Sequence, residues 1–217
     1  MHPNLQEIVI LLIVLLVSMS IHEMMHAFAA DWLGDDTARL QGRLTLNPLP
    51  HIDPIFTVAL PLLLLLSGSP FLFGAAKPVQ VNFNRLRHGE LGGAIVGAVG
   101  PLTNLLIALI AAVVFNHTQP GINTTAYNVL AITISLNAGL FIFNMIPWPP
   151  LDGSRVLYAV APRPLQEIME SIERLGMMGL VFFVLIVYSL SSVGGGNGPI
   201  GQLIIKFVNL IAPGLSL

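Results

Sequence analysis

Long apolar runs dominate the chain, and the places where they break define its architecture. From Leu5 to Leu33 a largely apolar helical pattern runs over 29 residues, roughly 43 Å of helix and enough to cross a bilayer. Its first part, Ile8 to Val17, is no cleaved signal core. It lacks a Lys/Arg-rich start, and the helical pattern continues unbroken through Ser18–Trp32. Further spans are predicted at about Leu91–Phe115, Ala126–Ile146 and Leu175–Val193, with a short apolar helix at Ile200–Ile211 and a loop at Gly194–Gly198. The chain shows no internal repeat, and its 217 residues suit a single domain, 1–217. The expectation is an all-α polytopic membrane protein, a bundle of about five to six transmembrane helices.

The stretch Ile55–Phe73 is apolar, but Pro61 interrupts it and Gly68, Pro70 and Gly74 crowd its end. Charge bias bears on its path. The nine Lys and Arg fall as Arg39 and Arg43; Lys77, Arg85 and Arg87; Arg155, Arg163 and Arg174; and Lys206. A full crossing by 55–73 would put the first two clusters on opposite faces. A re-entrant path puts all three main clusters on the cytoplasmic face and the N-terminus outside, and it is the reading preferred here. Two short pieces alternate with period two: Leu40, Gly42, Leu44 and Leu46 within Arg39–Asn47, and Val79, Val81 and Phe83 within Val79–Asn84. Both are expected as short β-strands near the active site.

Composition sharpens this picture. The chain is 54% hydrophobic and 9% charged, with a mean hydropathy of +0.81, whereas a soluble domain carries about 25% charged residues. It cannot cover a water-facing surface, so the lipid bilayer is its first partner. A net charge of −2 leaves no basic face for nucleic acid. Zero Cys excludes disulfides, thiolate catalysis and Cys-ligated metals, leaving His and carboxylates for any metal.

The chemistry centres on His22-Glu23-Met24-Met25-His26 near the end of the first helix. Two His at i and i+4 share one helix face and can hold one metal ion. Glu23 stands about 100° round the helix, beside the metal, where a general base belongs. A third protein ligand is needed, and the candidates are His51, Asp53, His88, His117 and Asp152; His117 falls on the opposite loop. Asp152 follows Pro147, Pro149 and Pro150, which end the preceding helix and hold the chain extended, and Gly153 permits a turn that can aim a carboxylate into the bundle. Asp152 or Ser154 can equally serve as the cap of the next helix. Gly93, Gly97 and Gly100 form a small-residue strip suited to close helix packing. Asn104 is expected as an interhelical hydrogen bond, and Met24 and Met25 as packing.

His22–His26, Gly100-Pro101-Leu102-Thr103-Asn104 and Asn144 through Asp152-Gly153, in that order, resemble the site-2 protease family of intramembrane zinc metalloproteases. Gly42–Pro54 and Gly74–Asn82 resemble its small bacterial and archaeal branch, which lacks PDZ-like and CBS-like domains. The likeness spans roughly Ser20 to Ser154. Phe56 stands where that pattern has Gly, and Val99 where it has Ala. The resemblance implies one Zn2+ held by His22, His26 and Asp152, catalysis by Glu23, and Asn144 beside the scissile bond. It also implies a multi-pass protein of the cell (inner) membrane that hydrolyses peptide bonds in or near transmembrane segments of membrane-protein substrates. Its active site would face the cytoplasm. The competing class is a membrane metal-binding or transport protein using the same cluster. A substrate helix must unwind before attack, and Arg39–Asn47 is expected to receive it by edge addition.

Overall fold

The computed structural model describes residues 4–59, 61–63, 76–122, 124–176, 178–183, 185–186 and 198–215. Among the described residues, three helices are long and apolar enough to cross a membrane: α1 (Leu5–Trp32), α3 (Glu90–Thr118) and α4 (Thr125–Asn144). Between and after them lie α2 (Thr37–Leu40), α5 (Asp152–Val160), α6 (Arg163–Glu173) and α7 (Pro199–Ile211). Of the expected span Leu175–Val193, residues 178–183 and 185–186 are helical, and 187–193 lie outside the described residues, as does most of 55–73.

Two of the three long helices start where their sequence supplies a cap. Asn4 and Glu7 form a reciprocal capping box at the head of α1, and Thr124 Oγ1 accepts from Tyr127 N at 3.1 Å at the head of α4. Along α3 the inward line is Gly93, Val96, Gly97, Gly100, Asn104, Ala108, Ala111 and Phe115, while Leu102, Leu106, Ile110 and Val113 face outward, exposed. Small residues inside and large apolar ones outside is the arrangement of a helix bathed in lipid. A Cβ at Gly97 would lie 2.8 Å from both the Asp152 carbonyl and Arg155 Cβ, so glycine there is what lets α5 rest on α3. At the other end Phe115, Tyr127, Ile134 and Val208 join α3, α4 and α7 in one apolar cluster.

No strand occurs among the described residues, which corrects both strand expectations. Arg39 and Leu40 complete α2, Gly42 turns with φ 68°, and Arg43 N returns to Ala38 O at 2.9 Å. Thr45 and Asn47 side chains then accept from the backbone two residues on, at 3.1 Å each. Local side-chain bonds take the donors a ladder would need, so edge addition at Leu44–Leu46 has no strand to act on. Residues 76–82 form no ladder: Lys77 N donates to His51 O, Val79 N to Glu23 and Asn82 N to Asp35. Asn82 then caps a 3-10 turn, Phe83–Arg85. The alternation reports an extended chain, not a paired one.

The corner after α1 is organised by Asp35, which is fully buried. Its carboxylate accepts from Thr37 Oγ1 at 2.5 Å, Thr37 N at 3.2 Å and Asn82 N at 2.6 Å, with Arg85 Nη1 at 3.9 Å. Burial by itself would raise its pKa. The hydrogen bonds from Thr37 and Asn82, with Arg85 nearby, outweigh that and hold it below the ordinary carboxylate value. On the α5–α6 side, Tyr158 donates to Glu170 Oε1 at 2.7 Å. That bond, reinforced by burial, pushes the phenol up to about 12.

Asp35→Ala removes the shared acceptor of two part-buried backbone donors and the Thr37 hydroxyl and is expected to cost about 2 kcal/mol, read as a lowered unfolding midpoint in detergent. Because the folded pKa is depressed, the stability Asp35 provides is full above its unfolded pKa of about 3.9 and fades as pH falls through the lower folded value. Wild type should therefore lose this increment in acid, and Asp35→Ala should show a flatter acid limb.

Candidate metal centre

His22 and His26 sit one turn apart on α1, their ring centroids 4.6 Å apart and nearly perpendicular. Both are buried. Asp152 reaches them from a distant segment. The chain leaves α4 at Asn144, passes through the proline-rich turn 145–151, and re-enters helix at Asp152. Trp148 anchors that turn by stacking on Phe183, with centroids 5.4 Å apart. Gly153 is required by close approach, since a Cβ there would stand 2.3 Å from Met145 O. Leu151 occupies the cap position of α5 and no side chain caps that helix. Asp152 is therefore turned to the histidines instead of capping.

The result is a tight cluster. Asp152 Oδ2 lies 3.1 Å from His22 Nε2, Asp152 Oδ1 lies 3.4 Å from His26 Nε2, and the two Nε2 atoms are 3.0 Å apart. One ligand atom from each of the three residues lies within 4.8 Å of the others. The outer ring nitrogens are already used: His26 Nδ1 is 2.7 Å from the Val96 carbonyl, and His22 Nδ1 is 2.6 Å from Asn104 Oδ1. Both partners accept, so each Nδ1 carries a proton, and in the neutral ring each Nε2 presents a lone pair. With both rings neutral, two nitrogen lone pairs and two carboxylate oxygens converge. A dipositive cation fits that donor set, and the outer bonds are the kind that orient metal-binding imidazoles. Two imidazoles and a carboxylate suit zinc, iron or cobalt.

Glu23 lies outside the cluster, and its Oε2 accepts from Val79 N at 2.9 Å. Gly100 lets the histidines approach α3, for a Cβ there would be 2.4 Å from His26 Nε2 and 2.8 Å from His22 Cε1. The other candidates stand elsewhere. His51 Nε2 donates to Thr45 O at 3.0 Å, and Asp53 Oδ1 accepts from Ile55 N at 2.9 Å. His88 lies in the turn before α3 and His117 at the far end of that helix. Asn144 ends α4, where its Nδ2 donates to Leu140 O at 3.0 Å, so it makes no hydrogen bond to the cluster. Asn104 is the interhelical hydrogen bond expected of it: Nδ2 donates to Asn137 Oδ1 at 2.9 Å on α4. Reading the sequence missed Asn137, Ser18 and the Val79 backbone. The first two carried a signal, as polar residues within lipid-depth helices.

These features define a class: a helical membrane protein with a His-His-carboxylate cluster that could hold a metal ion. Comparison with known proteins narrows it. The profile of Peptidase family M50 matches residues 119–187, which carry Asn144 and Asp152. The chain is 39% identical over 189 residues to "Putative zinc metalloprotease YwhC" of Bacillus subtilis (strain 168), covering 84% of this chain and 82% of that protein. It is 30% identical over 138 residues to a Rip2 protein of the same descriptive name from Mycolicibacterium smegmatis (64% and 52% covered). Rip2 of Mycobacterium tuberculosis (strain H37Rv) is 29% identical over 171 residues (79% and 63% covered). No solved structure matches at a significant level. The chain belongs to peptidase family M50, the site-2 protease family.

Gly100→Ala places a methyl group against both imidazoles. It is expected to lower metal occupancy of the purified protein at least about tenfold, measured by elemental analysis. Full occupancy in that variant would mean that α1 and α3 are not held as close as the structure has them.

Proposed function

We propose that this protein is an intramembrane zinc endopeptidase in which His22, His26 and Asp152 hold the metal and Glu23 is the general base. The observation that carries the reading is the convergence of three ligand side chains within 4.8 Å, with each Nε2 free and each Nδ1 engaged. The family membership and the zinc metalloprotease names of the relatives support it. Bound zinc would supply Lewis acidity, lowering the pKa of a water ligand and polarising the scissile carbonyl.

The chain's own groups do the rest. Glu23 removes a proton from the attacking water and returns it to the leaving amine, its carboxylate steadied by the Val79 N–H. Burial of His22 and His26 keeps their attraction for charge strong in a low-dielectric interior. Asn144 stands at the head of the turn that carries Asp152, and we assign it to substrate placement there. That role requires its amide to exchange Leu140 O for substrate. The substrate is a transmembrane protein whose helix unwinds at the site, since helical carbonyls are occupied by their own hydrogen bonds.

The membrane path follows from the same geometry. Lys77 N donates to His51 O at 2.9 Å, so the chain leaving at 51 returns to its starting level at 77. A full crossing would part those ends by about 30 Å, which favours a re-entrant 55–73. Arg85 pairs with Asp36, Arg87 N meets Leu33 O, and Arg155 lies over the Phe83 ring at 4.1 Å. Arg39, which pairs with Asp31, and Arg85, Arg87 and Arg155 therefore gather at the C-terminal end of α1, which supports a cytoplasmic position for the site in the cell membrane.

The test is paired. Wild type and Glu23→Gln are expected to hold one zinc each, with cleavage of a reporter transmembrane substrate lower in the variant by about 10²–10⁴-fold. Asp152→Ala should lose both zinc and cleavage. Equal cleavage by wild type and Glu23→Gln would remove Glu23 as the base. Unchanged zinc in Asp152→Ala would break the ligand set.

A further inference from the structure

His22 is a metal ligand only in one tautomer, and that tautomer is decided far from the metal centre. Its Nδ1 faces the Asn104 carboxamide at 2.6 Å. A carboxamide has two ends. With oxygen toward the ring, Nδ1 keeps the proton and Nε2 offers a lone pair to the cluster. With the amide reversed, Nδ1 becomes the acceptor, and the proton moves to Nε2, where it points at His26 and Asp152 and blocks coordination.

What holds Asn104 the right way round is a second asparagine. Asn104 Nδ2 donates to Asn137 Oδ1 at 2.9 Å. Asn137 has the same two-fold ambiguity, but its Nδ2 lies 2.9 Å from the Thr133 backbone carbonyl and 2.9 Å from Ser18 Oγ. A carbonyl can only accept, so Asn137 must present nitrogen to Thr133 and oxygen to Asn104. Asn104 must then present oxygen to His22. One unambiguous backbone atom on α4 thus orders three side chains in series, across α4, α3 and α1. Both asparagines are fully buried, so water cannot substitute for a mismatched end. His26 needs no such chain, because Val96 O fixes its tautomer directly.

We propose that Asn137, which touches no metal ligand, is a positioning residue for the metal centre: it sets the tautomer of His22 by orienting Asn104. This rests on His22 being a zinc ligand. A packing role predicts something different. At either asparagine, Leu is apolar and of similar size and should be tolerated better than Asp, whose buried charge is costly. The positioning role predicts the opposite order for zinc, because Asp at 104 keeps an oxygen for His22, and Asp at 137 keeps one for Asn104.

The experiment measures zinc affinity by chelator competition and the unfolding midpoint for the full-length protein in detergent. The variants are Asn104→Leu, Asn104→Asp, Asn137→Leu, Asn137→Asp and His22→Ala. The two orders are expected to cross. Leu variants should be the more thermostable of each pair yet bind zinc about 10–100-fold more weakly than wild type, the usual scale for groups that orient a ligand. Asp variants should stay closer to wild type in zinc affinity despite lower midpoints. Zinc affinity that follows thermostability at both positions, or wild-type affinity in Asn137→Leu, overturns the proposal. If a variant at 137 does not fold, the pair at 104 reads the same crossing. His22→Ala separates the two readings. Unchanged zinc there sinks the ligand assignment itself, whereas lost zinc there with wild-type affinity in Asn137→Leu sinks only the positioning role of Asn137.

Discussion

Two imidazole nitrogens and two carboxylate oxygens occupy one small volume inside the helical bundle, and the rest of the structure answers to that. The nitrogens stand 3.0 Å apart, with the carboxylate oxygens at 3.1 and 3.4 Å. With both rings neutral, such a cluster repels itself. Folding brings the three side chains together, and a cation at their centre would supply the attraction that holds them.

That requirement explains why backbone must come so near. Gly100 faces the histidines, Gly97 faces the backbone at Asp152, and Gly153 faces Met145 O. Three glycines on two elements remove the side chains that would separate α1, α3 and α5. The large apolar residues displaced from the interior lie on the outer face, where lipid is as good a solvent for them as the core would be. In water the same exchange would be ruinous, so the bilayer is part of what permits this site.

The parts of the site legible in the sequence are those set by local spacing. His22 and His26 follow from a helix period, and the small-residue strip of α3 follows from the same period. Asp152 was one of five candidates until the likeness to the site-2 proteases singled it out, because its place depends on how a proline-rich turn folds back. Asn104 was legible as a hydrogen-bonding residue but not as a partner of His22, since no single sequence says which faces of α1, α3 and α4 meet. The period-two patterns at 39–47 and 79–84 were misread for a related reason. Alternation records an extended or half-buried backbone, while a strand also needs a neighbouring edge, and the donors here go to Glu23, Asp35 and local side chains instead.

Burial around the cluster is lopsided, and the asymmetry has a chemical use. The His22 and His26 side chains are 8% and 9% exposed, while that of Asp152 is 24% exposed. The histidine side is sealed by Gly100, Val96 and the two asparagines; the open side is bounded by Asp152. Among the described residues, the more open approach to the cluster is from that side. Glu23 shares a helix with the sealed ligands, yet its carboxylate is bonded to Val79 in the extended segment 76–82. That segment is itself pinned at Lys77 by His51 O and at Asn82 by Asp35. The Glu23 carboxylate is therefore fixed by the loop that borders the site as well as by its own helix. A shift of that loop would move the Glu23 carboxylate without disturbing His22, His26 or Asp152. In the proposed reading, the fold thus separates two demands: rigid, dry coordination on one side, and an adjustable acid–base group on the other.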